Sequence, residues 1–385
     1  MKTFSVKTKI HFGSGALQYL SGLKCDKVLI VTDPFMMKAG FIEKVTEQLK
    51  KADINFEVFS DIVPDPPLEV IVEGIKALEK ANPDIIIALG GGSAIDACKA
   101  IFYFEDMVKK KLNLKVRDKK LKFIAIPTTS GTGSEVTAFS VVTDREKNVK
   151  YPLVDEALIP DEAILDASLV KSVPSSITVD TGMDVLTHAM EAFLSINASD
   201  CSDALSEKAI KLVFEYLPKA YKDGNDEEAR ERMHNASCIA GMAFTNASLG
   251  INHSMAHILG AKFHIPHGKA NALLLPYIIE FNANIQNDFS RNYTYAAHRY
   301  AKVAKLLGLS STNVRVAVRN LINTIKMLNK NLGIPSRIRE MGISQKEYEA
   351  EINNLSLAAY EDGCTATNPR KPTVDNLKEL FRKIY

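Results

Sequence analysis

The stretch DIIIALGGGSAIDACKAI, residues 84–101, runs an unbroken apolar segment into three consecutive glycines and then into a helical pattern. Apolar residues with no polar alternation are what a strand buried on both faces requires, and such strands belong to parallel sheets covered by helices. Gly90, Gly91 and Gly92 let a ligand approach the backbone closely, and free N–H groups at the helix start favour an anion. Gly91, Gly92 and Ser93 are therefore candidate phosphate ligands. Ser93 with Asp96 three residues on also resembles a helix N-cap, which leaves a plain strand-to-helix turn as the alternative. The spacing is not the GxGxxG of an ordinary Rossmann fingerprint.

The same rhythm extends outward. VLIVTD from Val28, GFIEKVTEQLKKA from Gly40, FEVFS from Phe56 and LEVIVEGIKALEKA from Leu68 alternate strand and helix patterns up to residue 84. That βαβαβ order argues a parallel sheet with helices on both faces. FIAIPTT from Phe123 continues the sheet, and FSVVTDREKNVKYPLV from Phe139 reads as two strands around a polar turn. The loop PTTSGTGSE, residues 127–135, offers Thr128, Thr129, Thr132 and Ser134, with Ser130, as hydroxyl donors around two glycines. Two such loops at the carboxyl ends of strands in one sheet are where open α/β folds bind nucleotides. Asp33, at the end of the first strand, either accepts from ribose hydroxyls and repels a 2'-phosphate, or is a turn residue before Pro34.

Beyond Val173 the patterns are helical: TGMDVLTHAMEAF, SDALSEKAIKLVFEYL and RERMHNASCIAGMAF follow one another without a convincing strand. The expected domains are residues 1–171, α/β, and 172–385, helical. In the first of these helices Asp184 and His188 stand four apart on one face, with Glu191 and Ser195 continuing the stripe. They either grip one ion or hydrogen-bond to each other. His253, His257, His264 and His267 crowd into fifteen residues of a chain with eight histidines. His253 and His257 share a helical face, while His264 and His267 lie beyond Gly260 in a loop marked by Pro266 and Gly268. This cluster and the Asp-x3-His helix together point to a metal site, without saying which four residues bind. One carboxylate plus imidazoles suits Fe(II), Zn or another divalent first-row ion.

Composition narrows the classes. Balanced charge, formally +2 over 385 residues, gives no field for nucleic acid or acidic lipid. The run Lys109-Lys110-Lys111 and the pair Lys119-Lys120 lack aromatic interleaving and read as a solvated loop face. Five scattered cysteines without a CxxC pair fit reduced thiols in a cytosol. Neither a signal-peptide core nor an apolar run of about twenty residues is present, so the expectation is a cytoplasmic chain without a membrane partner.

GGGSAID, PTTSGTGSEVT, GMDVLTHAMEA and GMAFTNASLGINHSMAHILGAKFHIPHGKANALLLP stand in the order and at the spacing of the iron-containing (group III) alcohol dehydrogenases, which this chain resembles over nearly all its length. The resemblance implies a dehydroquinate synthase-like architecture, with an N-terminal nucleotide-binding domain and a helical metal-binding domain. It implies Asp184, His188, His253 and His267 as metal ligands, His257 as an unligated proton relay, and His264 as a structural or surface residue. It also implies Gly92, Ser93, Thr128, Thr129 and Thr132 at the dinucleotide phosphates and adenosine end, and Val141 and Lys150 near the nicotinamide half. Asp33 matches the acidic position associated with NAD over NADP.

The expected reaction is hydride transfer between NAD(H) and a short-chain aldehyde or primary alcohol, with Fe(II) or Zn as Lewis acid and the reactants held together in a cleft between the domains. Phe139 and Phe244 either wall the substrate pocket or pack in the core. An apolar wall favours acetaldehyde, propanal or butanal over hydroxylated aldehydes. Family members commonly assemble as dimers or larger, and versions acting on propanal suggest association with a metabolic microcompartment. A metal-dependent lyase or dehydroquinate synthase-like enzyme, and a non-enzymatic metal or nucleotide binder, are the alternatives.

Overall fold

The computed structural model describes residues 3–111, 121–147, 149–285 and 292–385, and the chain divides into two compact units. Ser5–Val173 with Asn225–Gly241 forms one, and Pro174–Gly224 with Met242–Tyr385 and Met1–Phe4 forms the other.

The first unit contains strands β1 (Lys9–Phe12), β2 (Lys27–Val31), β3 (Asn55–Phe59), β4 (Ile85–Gly90), β5 (Lys122–Pro127), β6 (Phe139–Asp144), β7 (Val149–Val154) and β8 (Glu162–Leu165). Its helices are α1 (Pro34–Lys38), α2 (Phe41–Lys51), α3 (Leu68–Ala81), α4 (Gly92–Lys111) and, through Gly241, most of α7 (Glu227–Ala247). Six strands pair in parallel in the order β1-β8-β5-β4-β2-β3, while β6 and β7 form an antiparallel hairpin. Alternate residues of the central strands feed opposite cores. Leu29, Val31, Ile86, Ala88 and Phe123 join α3 and α4, whereas Val28, Ile30, Ile85, Ile87 and Ile124 join α2. Burial on both faces is why these strands read as continuous apolar runs. β2 has β3 on one side and β4 on the other, so chain order reverses between β2 and β4. The carboxyl ends of such a pair are where open α/β sheets take ligands.

The second unit is helical: α5 (Ser175–Leu194), α6 (Asp200–Lys222), the end of α7 from Met242, α8 (Ile251–Phe263), α9 (His267–Ala283), α10 (Tyr295–Leu306), α11 (Val314–Asn331), α12 (Gln345–Glu361) and α13 (Val374–Ile384). α5 packs on α6 and α9, and from Met183 to Leu194 it is buried without a break. A helix enclosed on all sides must give every polar side chain a partner. Asp184, His188 and Glu191 therefore define where chemistry can sit.

Three expectations are corrected. α8 passes through Gly260 and ends at Phe263, with exposed His264 as its left-handed cap, φ 55°, so the loop is only three residues and His267 opens α9. A glycine inside a helix costs about 1 kcal/mol, which packing here outweighs. Lys109, Lys110 and Lys111 are the last turn of α4 rather than a loop, with Lys109 paired to Glu105 and Lys110 to Asp106; basic residues there complement the helix dipole. Lys119 and Lys120 lie outside the described residues. The Asp96 carboxylate does not serve a Ser93 cap, because it accepts from Ser134 Oγ at 2.6 Å and from the Val141 N–H at 3.1 Å.

Candidate metal centre and nucleotide loops

α5 supplies Asp184 and His188, α8 supplies His253, and the first residue of α9 supplies His267. Asp184 Oδ1 lies 3.5 Å from His253 Nε2 and 3.4 Å from His267 Nε2, and Asp184 Oδ2 lies 4.0 Å from His188 Nε2. Asp184, His188 and His253 are buried, whereas His267 is 41% exposed, so the cluster has a closed back and an open front. Each facing nitrogen is Nε2. For His253 the reason is visible: Nδ1 hydrogen-bonds Glu191 Oε2, which fixes the tautomer and aims Nε2 at Asp184. His188 is sandwiched between the rings of Phe244 and His253, with centroids 4.5 and 4.6 Å away. Phe244 is thus buried against a site residue.

Asn271 Nδ2 reaches into the middle of the group, 2.7 Å from Asp184 Oδ1, 3.2 Å from His253 Nε2 and 3.1 Å from His267 Nε2. Its orientation is set by Asn252, whose amide nitrogen donates to Asn271 Oδ1 at 2.8 Å. Asn271 and Glu191 were not singled out by sequence reasoning as site residues in their own right, although both follow from the i, i+4 and i, i+3 spacings to His267 and His188. Burial tends to raise the Asp184 carboxyl, but the imidazoles of His188, His267 and His253 outweigh it and hold it well below the carboxylate range. Burial also lowers His188 to about 3, which keeps its ring neutral, with a lone pair to offer. A buried anion facing Nε2 atoms on three sides fits a divalent cation: Asp184 and the three imidazoles would hold it.

His257 is exposed beside this group, its ring stacked on His267 at 5.3 Å and 15°. Its Nδ1 faces Asp362 Oδ2 at 2.9 Å, and Asp362 Oδ1 accepts from Ser254 Oγ and from the Cys364 N–H. Asp362 lies 105 residues from His257 in the chain and went unnoticed in the sequence.

In the first unit the switch-point loops converge. Gly90 has φ 152°, open only to glycine, and a Cβ there would stand 2.6 Å from Ala94 Cβ and 3.3 Å from Asp33 Oδ2. Asp33 Oδ1 caps α1 by accepting from Phe35 N and Met36 N, while Oδ2 lies on the Gly90 side. A Cβ on Gly91 would lie 3.3 Å from Thr129 and one on Gly92 2.8 Å from Thr132, so these hydroxyl residues pack directly over the glycine turn. Ser93 sits half-buried in the first turn of α4, and Thr128 Oγ1 is buried without a hydrogen-bond partner. Those residues form a cradle of N–H and O–H donors that fits a dinucleotide's phosphates.

Ser134 differs: its hydroxyl is spent on Asp96 and on Lys99 Nζ, 3.0 Å away. Lys99 is fully buried and also donates to Thr137 and Phe139, and burial lowers it to about 8 despite Asp96 and Glu135. These bonds lock the 127–135 loop to α4 from behind. Val141 is exposed in the hairpin opposite Pro152, and Lys150 pairs with Asp65 at 2.5 Å.

The family model for iron-containing alcohol dehydrogenases matches residues 7–167, and the model for the C-terminal part of the Fe-containing alcohol dehydrogenase family matches residues 178–385. The chain belongs to the iron-containing alcohol dehydrogenase family. It is 42% identical to the NADPH-dependent butanol dehydrogenase of Clostridium saccharobutylicum over all of this chain and 98% of that protein. It is 44% identical to the 1-propanol dehydrogenase PduQ of Citrobacter freundii over the whole of both. It also spans about half the length, 46%, of the curated aldehyde-alcohol dehydrogenase of Streptococcus pneumoniae, at 43% identity. Among solved structures, the iron-containing alcohol dehydrogenase of Thermococcus thioreducens has a TM-score of 0.88 at 36% identity, covering 100% of this chain and 99% of that one. Membership of this family accounts for the parallel sheet followed by helices. Among the described residues no helix is long and apolar enough to cross a membrane.

Proposed function

We propose that this chain is a metal-dependent oxidoreductase that interconverts a short-chain aldehyde and its primary alcohol with NAD(H). The observation that carries the reading is the convergence of one buried carboxylate, Asp184, with the Nε2 atoms of His188, His253 and His267. When bound, Fe(II) or Zn supplies positive charge against the substrate oxygen, and the nicotinamide supplies or accepts hydride. The chain's own work is positional. Glu191 holds the His253 proton on Nδ1, the Asn271 side-chain amide donates to Asp184 Oδ1, and His188 is held between two rings. Asp362 fixes His257 through Nδ1, which leaves His257 Nε2 as the atom able to give a proton to an alkoxide or to take one from the alcohol.

Gly91, Gly92, Ser93, Thr128, Thr129 and Thr132 are the proposed contacts for the dinucleotide, with Val141 and Lys150 towards its nicotinamide half. Asp33 Oδ2, facing the glycine turn, supports NAD in a family that includes an NADPH-dependent relative. The proposed substrates are acetaldehyde, propanal and butanal, and the proposed setting is a cytoplasmic homo-oligomer.

The test is anaerobic NADH oxidation by metal-stripped protein, with Fe(II) or Zn(II) restored in turn and propanal paired with lactaldehyde. Turnover that returns with metal, is absent in His267→Ala and prefers propanal is the expected result. NADH binding without turnover on any aldehyde would instead favour a lyase or a binding protein.

A further inference from the structure

His234, one of the eight histidines, belongs neither to the metal cluster nor to any loop around the glycine turn in sequence, yet it reaches that region through α7. Its ring is 2% exposed, with Nδ1 3.0 Å from Ser130 Oγ and Nε2 enclosed without any hydrogen-bond partner. Burial lowers its pKa to about 4, against the opposing pull of Asp166, so the imidazole is neutral and carries one N–H.

The placement of that proton decides what Ser130 can do. On Nε2 it would be a buried donor with no acceptor, and the Ser130 O–H would be spent on Nδ1. On Nδ1 it donates to Ser130 Oγ and leaves only an unfilled lone pair at Nε2. A buried donor left unsatisfied costs its desolvation in full, and leaving a lone pair bare is the lesser loss. The second arrangement frees the Ser130 hydroxyl proton. Ser130 is half-exposed on the 127–135 loop, where Thr128 Oγ1 also lacks a partner and Thr132 lies over Gly92.

We propose that His234 is a positioning residue of the cofactor site, holding Ser130 as an acceptor at Nδ1 so that the Ser130 hydroxyl donates to a phosphate oxygen of the dinucleotide. This rests on the reading of the first unit as the dinucleotide site. The ligand chemistry is an anionic oxygen, and Ser130 is the atom that touches it.

The experiment is calorimetric titration of ADP-ribose and, separately, adenosine into the metal-loaded full chain as wild type, Ser130→Ala, His234→Asn, His234→Gln and the double variant Ser130→Ala with His234→Gln. Asparagine can place an amide nitrogen near the Nδ1 position, and glutamine cannot without rearrangement. Ser130→Ala and His234→Gln are each expected to weaken ADP-ribose about tenfold, the size of one charge-assisted hydrogen bond. The double variant should be no weaker than Ser130→Ala alone. His234→Asn should stay within about threefold of wild type, and adenosine should bind all five proteins alike. Independent, additive losses, an equal loss of adenosine, or identical behaviour of the Asn and Gln variants would overturn the role of His234. Absence of ADP-ribose and NADH binding by the wild type would overturn the dinucleotide reading itself.

Discussion

Glu191 and His253 are joined through Oε2 and Nδ1 in the buried interior of the helical unit, and the other Glu191 oxygen accepts from the Asn252 N–H at 2.7 Å. The carboxylate therefore fixes both the tautomer of the imidazole and the first turn of the helix that carries it. Glu191→Gln offers an N–H where His253 needs an acceptor and drives the ring proton towards Nε2. Metal affinity, measured by competition with a chelator, is expected to fall about 10- to 100-fold with little change in circular dichroism. Unchanged metal content would remove Glu191 from this role.

Gly268 follows His267, and a Cβ on it would stand 1.9 Å from the carbonyl oxygen of Asp180. Both atoms belong to backbone of packed helices, so relief requires α9 to shift with His267 on it. Gly268→Ala is expected to lose bound metal and to be destabilised by about 1–3 kcal/mol in denaturant titrations. Gly22→Ala, with nothing within 4 Å, is the control that should stay near wild type.

Asp33 combines a cap and a charge. Asp33→Asn keeps an oxygen for Phe35 N and Met36 N while removing the negative charge that faces the glycine turn. The ratio of kcat/KM for NADH to that for NADPH should fall about tenfold without loss of thermal stability, an effect of about 1.4 kcal/mol. An unchanged ratio would leave Asp33 as a cap only.

Glu135 is buried in the loop next to Lys99 and Cys238, and burial raises its carboxyl from near 4.5 to about 7. The folded chain holds this proton more tightly than the unfolded one, so the contribution is complete below about pH 4.5 and is lost as pH rises through about 7. Glu135→Gln keeps the neutral form at every pH. Its stability relative to wild type should be little changed at low pH and should rise towards pH 8 by up to about 3 kcal/mol, read from urea midpoints at several pH values. A stability difference that is flat with pH would contradict a raised carboxyl.

What could be seen in the sequence was whatever rests on local pattern. The run at 85–90 announces a buried strand because nothing in it is polar, and Leu68–Ala81 forms a helix over the residues its period indicates. The crowding of His253, His257, His264 and His267 near an Asp-x3-His helix pointed to one cluster before any geometry was known. Short or long-range features escaped. β1 is four residues at the sheet edge with no alternation, and its pairing to β8 joins residues 9 and 162. His234 and Asp362 act through partners far away in the chain, which no periodicity encodes. Gly260 misled because tertiary packing kept the helix going through a residue that usually stops one.

Residues 225–241 belong with the sheet-containing unit although two complete helices, α5 and α6, precede them. Arg230 donates to the Val173 carbonyl at 2.8 Å, His234 meets Ser130, and Gly241 closes on Gly133, where a Cβ would lie 2.8 Å from the Gly241 Cα. During synthesis, then, the six-stranded sheet leaves the ribosome with the back of its 127–135 loop uncovered until more than fifty further residues have emerged. A fragment cut at the apparent end of the sheet, near residue 173, would carry the same exposed face permanently, and a chimera that exchanges the nucleotide-binding half must transplant two separate pieces of chain to remain soluble.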